Sequence, residues 1–491
     1  MDFISLEFLF VFLPIFLTIY TISKQPKTRL VIIAIASLLF ILAGRRPVAT
    51  FFWLSSISVI TYAAGYIIEK NRQNMLTAQK VTWAGVIAVV ATLIFFKAFA
   101  SGYGDGRINL LLCNQSIKLF LCNNDTKNLL IPIGISYITF QSISYIIDVH
   151  RNRISHERDF IKFLSYSLFF PKLTSGPITS YKNIHSQLNT LEATPNDIAA
   201  GIRLILGGTT KRLLVANQVG IVADAVFGMP ANGITPGFAW LGLLAYSIQI
   251  YFDFSGYTDI AIGLAKTMGI NLPENFNYPY IAQSISDFWR RWHITLSSWF
   301  REYVFFPLER NRLKFIGKQL NVLVVFLLTG LWHGFNPTFI VWGLIHGVFI
   351  AFESSIGMSW LNKMIRPLRH LYTLSIVLLG WVFFRSPDFN FAILFIGRLF
   401  GNSTDISPLP FSQTTPLPFI EPSFIMALIV GIIFSMPIFS VFDKIKKKME
   451  EKPSTLLAFL ITQDIVLILF FVLAIAAQLA GSFAPNIYAK F

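Results

Sequence analysis

Apolar runs separated by short polar or basic segments recur along the whole chain. They cover roughly 3–20, 30–43, 48–68, 81–100, 129–149, 202–227, 238–254, 320–332, 339–352, 371–384, 419–440 and 455–480. Many approach the roughly 20 residues a helix needs to cross a bilayer. In lipid every backbone polar group must find its partner within the segment, so runs of this length are predicted to be helices. Between 160 and 177 the apolar pattern is interrupted by Pro171, Gly176 and Pro177. Irregular backbone at membrane depth survives only where protein or a cavity surrounds it, so this stretch is expected to be re-entrant.

The run 285–303 is patterned differently. Trp289, Trp292, Leu296, Trp299 and Tyr303 are spaced 3, 4, 3 and 4, which places them on one stripe of a continuous helix. The expected element is an interfacial amphipathic helix with its indoles at headgroup depth and Arg290 and Arg301 directed elsewhere. His293 falls at the border of that stripe.

Composition agrees with a membrane protein. Of 491 residues, 54% are hydrophobic and 13% charged, against about 25% charged in soluble domains. The net charge of +15 resides in short clusters between apolar runs, which matches the positive-inside pattern and argues against nucleic acid as a partner. Lys24/Lys27/Arg29, Lys70/Arg72/Lys80 and Arg151/Arg153/Arg158 fall on alternate loops, which are expected in the cytoplasm. Run 3–20 lacks a basic leader and a cleavage pattern, so it is expected to be retained, with the N-terminus outward. Cys113 and Cys122 share one loop; if it faces an oxidising compartment they can pair, and two free thiols are the other reading. No metal-ligand spacing is present.

Three of the seven histidines, His293, His333 and His346, lie in one block. An ionisable side chain inside a membrane run is costly and by default a functional candidate. A neutral imidazole accepts a hydroxyl proton, so His333, at the end of its run beside Trp332 and Gly334, is a candidate general base. The alternative is an imidazole bonded to a neighbouring helix for packing, a reading that weighs more for His293 and His346. Asp253 and Asp259 flank an aromatic segment and are candidate substrate-binding residues; the structural alternative, which weighs more, is that they pair with Arg290 or Arg291. No nucleophile elbow, P-loop or dinucleotide fingerprint is present.

Several motifs in register resemble the membrane-bound O-acyltransferase family, and within it the alginate O-acetyltransferase branch. They are Pro132-Ile-Gly-Ile-Ser-Tyr137, Phe170-Pro-Lys-Leu-Thr-Ser-Gly-Pro-Ile178, Tyr251-Phe-Asp-Phe-Ser-Gly-Tyr-Thr-Asp-Ile-Ala-Ile-Gly263, Pro273-Glu-Asn-Phe-Asn277, Ser286-Asp-Phe-Trp-Arg-Arg-Trp-His-Ile-Thr-Leu-Ser298 and Thr329-Gly-Leu-Trp-His-Gly334. The resemblance covers about residues 1–400. It implies an all-α polytopic fold: a funnel of about 10–12 transmembrane or re-entrant helices, with interfacial helices, around a channel. The chain is expected to be one integral-membrane domain, 1–491, with N-terminal helices over 1–158, the family core over 159–353 and C-terminal helices over 354–491. By the resemblance His333 is the catalytic histidine and His293 the second family histidine, nearer the cytoplasmic mouth.

The implied reaction moves an acyl group, foremost acetyl, from a cytoplasmic thioester such as acetyl-CoA to hydroxyls of an extracytoplasmic polysaccharide such as alginate, directly or through an outer-face acyl-accepting protein. The implied setting is a bacterial inner membrane, and no bound cofactor or metal is expected. Trp332 is a candidate oxyanion donor, and Arg290, Arg291 and Arg301 a basic mouth for a phosphorylated donor. D-alanyl transfer to a cell-wall polymer, or transport without covalent chemistry, are the rival readings. The chain has Pro307-Leu-Glu-Arg310 where the family usually reads Pro-Leu-Gly-Gly, and Phe335-Asn-Pro337 after the Trp-His-Gly motif. Both departures bear on the substrate more than on the reaction.

Overall fold

A computed structural model describes residues 1–44, 47–100, 132–310, 317–402, 421–438 and 453–481, with Lys444, Lys446, Lys447 and Met449 besides. The loop with Cys113 and Cys122 lies outside the described residues. Among those described there are helices and turns and no strand. Five helices are long and apolar enough to span a membrane: Pro47–Lys70, Met75–Ala98, Pro337–Lys363, Arg366–Arg385 and Ser454–Leu479. The chain forms two compact units, one of residues 1–205 and 260–273, the other of residues 206–259 and 274–490.

In the first unit, helices α1 (Leu13–Ile22), α2 (Pro26–Leu42), α3 (Pro47–Lys70), α4 (Met75–Ala100) and α5 (Ile135–His150) account for the first five apolar runs. α3, α4 and α5 pack against one another. α5 is buried on nearly every side. It starts at Gly134, whose φ of +85° is open to glycine, and a Cβ there would lie 2.5 Å from the Leu173 carbonyl oxygen. The stretch 160–177 follows a broken path: α6 (Phe160–Ser167), capped by Asp159 through the Ile161 N–H at 2.9 Å, then the single turn α7 (Phe170–Leu173) and irregular backbone after it. The buried Ser165 hydroxyl donates to the Leu30 carbonyl at 2.9 Å. α8 (Pro195–Thr210) ends the first long stretch.

The second unit holds α9 (Asn217–Phe227), most of α10 (Pro236–Thr267), α11 (Ile285–Arg291), α12 (Ile294–Phe300), α13 (Gly317–His333), α14 (Pro337–Phe352), α15 (Arg366–Arg385), α16 (Phe389–Leu399), α17 (Pro422–Phe434) and α18 (Pro453–Leu479). The apolar pattern predicts that α10 ends near residue 254. It instead runs 32 residues, about 48 Å at 1.5 Å per residue, and carries the whole aromatic-acid motif. α13 and α14 meet as a tight corner: a Cβ on Gly330 would be 2.5 Å from the Phe339 carbonyl oxygen and one on Gly343 2.4 Å from that of Phe326. Small residues thus let two apolar helices touch backbone to backbone. Pro337 occupies the first turn of α14, where its missing N–H costs nothing, and the Asn336 side chain caps it through the Thr338 N–H at 3.1 Å.

The single amphipathic helix expected over 285–303 is corrected. α11 stops at Arg291, His293 adopts φ 44° and ψ 53°, and α12 starts afresh. The five stripe residues are nonetheless all buried in protein. The stripe is therefore a packing surface, and the membrane-anchor role expected for its indoles does not hold.

Candidate functional site

Four segments of the second unit converge. The break between α11 and α12 brings His293, the end of α13 brings Trp332 and His333, α14 brings Trp342 and His346, and α15 brings Trp381 and Phe384.

His293 is fully buried and held by polar contacts. Asn275 Oδ1 accepts from the Thr295 N–H (3.2 Å) and the Thr295 hydroxyl (2.9 Å), and lies 3.1 Å from His293 Nδ1. The backbone N–H of Thr295 can only donate, which fixes that Asn275 atom as oxygen. His293 Nδ1 therefore carries the proton and Nε2 the lone pair. The Ile294 N–H also donates to the Asn275 carbonyl (3.0 Å) and the Asn277 N–H to the Arg291 carbonyl (2.9 Å), so the segment 275–277 splints the left-handed turn. Phe254 of α10 meets the imidazole edge to face, centroids 4.8 Å apart.

His333 has 3% of its surface exposed and is positioned by rings. Trp332 lies 4.6 Å away by centroids, Phe384 4.9 Å, Trp342 5.0 Å and perpendicular, Phe339 6.1 Å. Trp332 also stands 6.4 Å from His293. One indole thus neighbours both imidazoles. His346 completes the cluster, with Trp289 and Trp342 each 5.4 Å from its ring and Phe288 stacked at 6.1 Å. A Cβ on Gly380 would sit 3.0 Å from His346 Nε2, so α15 approaches this ring closely.

The carboxylates are engaged elsewhere than expected. Asp253 pairs with Arg212 at 3.0 Å, nearly buried on both sides, and Asp259 with Lys211 at 2.6 Å. Both cations belong to a π-helical segment, Lys211–Ala216, between α8 and α9. Arg290 and Arg291 instead pair with Asp287, at 3.7 and 3.1 Å. Arg301 reaches the Ser298 hydroxyl at 3.3 Å and is exposed. Asp253 and Asp259 therefore lock α10 to the preceding helix, a pairing between segments about 40 residues apart that spacing does not reveal. None of the predicted residues lines the apolar cavity of about 210 Å³ between Leu244, Tyr280, His370 and Leu374.

Two residues escape a reading of the sequence. Asn275 sets the tautomer of His293; its place in the Pro-Glu-Asn-Phe-Asn motif is the available signal. Glu353, buried just after α14, accepts from the Ile285 N–H (2.6 Å), the Ser286 N–H (2.8 Å) and the Tyr372 hydroxyl (3.3 Å), and so tethers the start of α11. Nothing in its local pattern marks it. Among the described residues no group of three or more His, Cys, Asp or Glu could hold a metal ion.

A sequence model described as the membrane-bound O-acyltransferase family matches residues 49–385. The chain is 38% identical over 392 residues to "Probable alginate O-acetylase AlgI" of Pseudomonas aeruginosa, spanning 80% of this chain and 73% of that one. It is 36% identical over 418 residues to the protein of the same name from Pseudomonas putida, spanning 85% and 84%. A "Peptidoglycan O-acetyltransferase" of Helicobacter pylori is 32% identical over 436 residues, spanning 80% and 79%. With its membrane-spanning helices and the Trp-His-Gly corner at their end, the chain belongs to the membrane-bound O-acyltransferase family and is a multi-pass membrane enzyme that transfers acyl groups to hydroxyls.

Proposed function

We propose that this enzyme moves an acetyl group from a cytoplasmic thioester, acetyl-CoA in the simplest case, to hydroxyls of an extracytoplasmic polysaccharide of the alginate kind, with His333 as the general base. The observation that supports the reading is that His333 and His293 both neighbour the Trp332 indole, inside one aromatic cluster, in a chain most of whose length aligns with alginate O-acetylases. The residue roles are our assignment. The bacterial inner membrane is the compartment that joins such a donor to such an acceptor.

In the proposed step, His333 accepts the proton of the acceptor hydroxyl as its oxygen attacks the thioester carbonyl carbon. A tetrahedral oxyanion forms, the C–S bond breaks, and the departing thiolate takes the proton back from the imidazolium. A base of this kind contributes about 10²–10⁴ in rate. Aromatic walls keep water out, so the acyl group meets the acceptor rather than hydrolysis, and fixed N–H dipoles act strongly there. The Trp332 indole N–H, next to His333, is the candidate donor to the oxyanion. His293, with its lone pair on Nε2, is placed to relay a proton or hold the thioester end. An outer-face protein as the immediate acyl acceptor fits the same chemistry.

The test is ester analysis of surface polymers from cells with and without the gene. Mild alkali should release acetate in gene-dependent amounts. Release of alanine instead would redirect the reading to D-alanyl transfer, and unchanged esters with altered export would replace it with transport.

A further inference from the structure

The first unit contains a cluster of buried polar side chains that the histidine site does not explain. Lys172, in the turn α7, is fully buried. Its ammonium lies 3.6 Å above the face of Tyr166. That face holds the cation from one side, and among the described residues the ammonium donates to no acceptor. The chain folds tightly round it: a Cβ on Gly176 would come within 2.4 Å of the Lys172 Cα.

α5 packs against α7 and brings further polar side chains to the cluster. Tyr137, Gln141 and Ser144 are spaced 4 and 3 and so share a face. The Tyr137 hydroxyl neighbours Ser175 at one end of that face, and Ser144 neighbours the Tyr166 hydroxyl at the other. Gln141 lies between them, and neither its amide oxygen nor its amide nitrogen has a hydrogen-bond partner among the described residues. The acidic groups nearby are occupied elsewhere, Asp148 with Arg153 at 3.4 Å and Glu157 with Lys162 at 2.9 Å.

A buried ammonium and a buried amide whose hydrogen-bonding groups the protein leaves unmet are costly unless a ligand or water completes them. The donor set comprises three ammonium N–H, an amide NH₂ and the Ser175 hydroxyl. That exceeds what the two oxygens of a carboxylate would use and suits a phosphate. We propose that Lys172, Gln141 and Ser175 form a binding site for a phosphate ester, supplied either by a phosphorylated thioester donor or by a phospholipid headgroup. The donor form of the inference deepens the reading above and rests on it.

The test uses the full-length protein in phospholipid-free detergent, with coenzyme A as one probe and phosphatidylglycerol in mixed micelles as the other, binding being read by native mass spectrometry and by thermal shift. Lys172→Met should weaken one probe at least tenfold and abolish the thermal shift that probe gives. Gln141→Leu and Ser175→Ala should each weaken the same probe several-fold, and they decide the matter if Lys172→Met does not fold. Loss confined to coenzyme A assigns the donor as the source, and loss confined to phosphatidylglycerol assigns the lipid. A folded Lys172→Met that binds both probes like the unaltered protein, or unchanged affinity in both milder variants, overturns the site and leaves water as the occupant. His333→Ala should bind the probes normally while losing transfer. If it transfers normally, the catalytic reading fails, whatever Lys172 does.

Discussion

Two of the four histidines of the second unit, His293 and His333, sit in contrasting surroundings. At the α11–α12 break a polar splint fixes His293: Asn275 sets its tautomer, and a left-handed backbone turn at φ 44° sets its direction. At the α13–α14 corner His333 is fixed by shape, between four aromatic rings with centroids 4.6 to 6.1 Å away. A hydrogen-bonded imidazole has its proton assigned in advance. Ring contacts round His333 limit how far its imidazole can turn, which suits a base that must accept and return a proton at one place.

That contrast can be broken from either end. The largest effect outside His333 itself is expected for His293→Ala, a fall of about 100-fold in transfer at constant protein level. A smaller fall would make His293 a packing residue. Next comes Asn275→Ala, which frees the His293 tautomer and should lower transfer about tenfold, with a shifted pH profile, while Asn275→Asp, which keeps the acceptor oxygen, recovers most of it. A merely structural Asn275 would leave the pH profile where it was. Trp332→Phe keeps an aromatic ring beside both imidazoles but removes the N–H. Transfer should fall several-fold in kcat with KM little changed, the pattern of an interaction made only in the transition state.

The smallest effect is a control in the first unit. Burial alone would raise the Glu157 carboxyl, but hydrogen bonds from Tyr181, Lys162 and the Asp159 N–H outweigh it and hold the group below its ordinary range. A depressed carboxyl contributes stability above its unfolded value near 4.5, lost as pH falls through the lower folded value. Glu157→Gln should therefore lower Tm by about one or two degrees at pH 7. The difference from the unaltered protein should close as pH falls below 4.5 and through the lower folded value, and transfer should be untouched throughout.

The sequence makes the spans legible because lipid allows few alternatives: an apolar run must be a helix and basic loops must stay outside the hydrocarbon. Proline starts, as at Pro26 and Pro337, sharpen the boundaries. The gathering of His293, His333 and His346 is foreshadowed by their motifs. The break at His293 is not, because α11 and α12 bury the same residues that one continuous helix would, and periodicity reads only which faces are apolar. The continuity of α10 past Asp253 is hidden for the converse reason: its carboxylates read as an end of the apolar run, whereas Arg212 and Lys211 of another helix neutralise them. Glu353 and Asn275 act across 68 and 18–20 residues of sequence respectively, a separation that no local pattern encodes.

The most direct measurement is the rate of acyl transfer by the purified, folded His333→Ala protein beside the unaltered enzyme, with the same thioester and the same hydroxyl acceptor. A fall of about 10²–10⁴ at undiminished donor binding is the predicted result; transfer within a few-fold of the unaltered rate would contradict the assignment of His333 as the base.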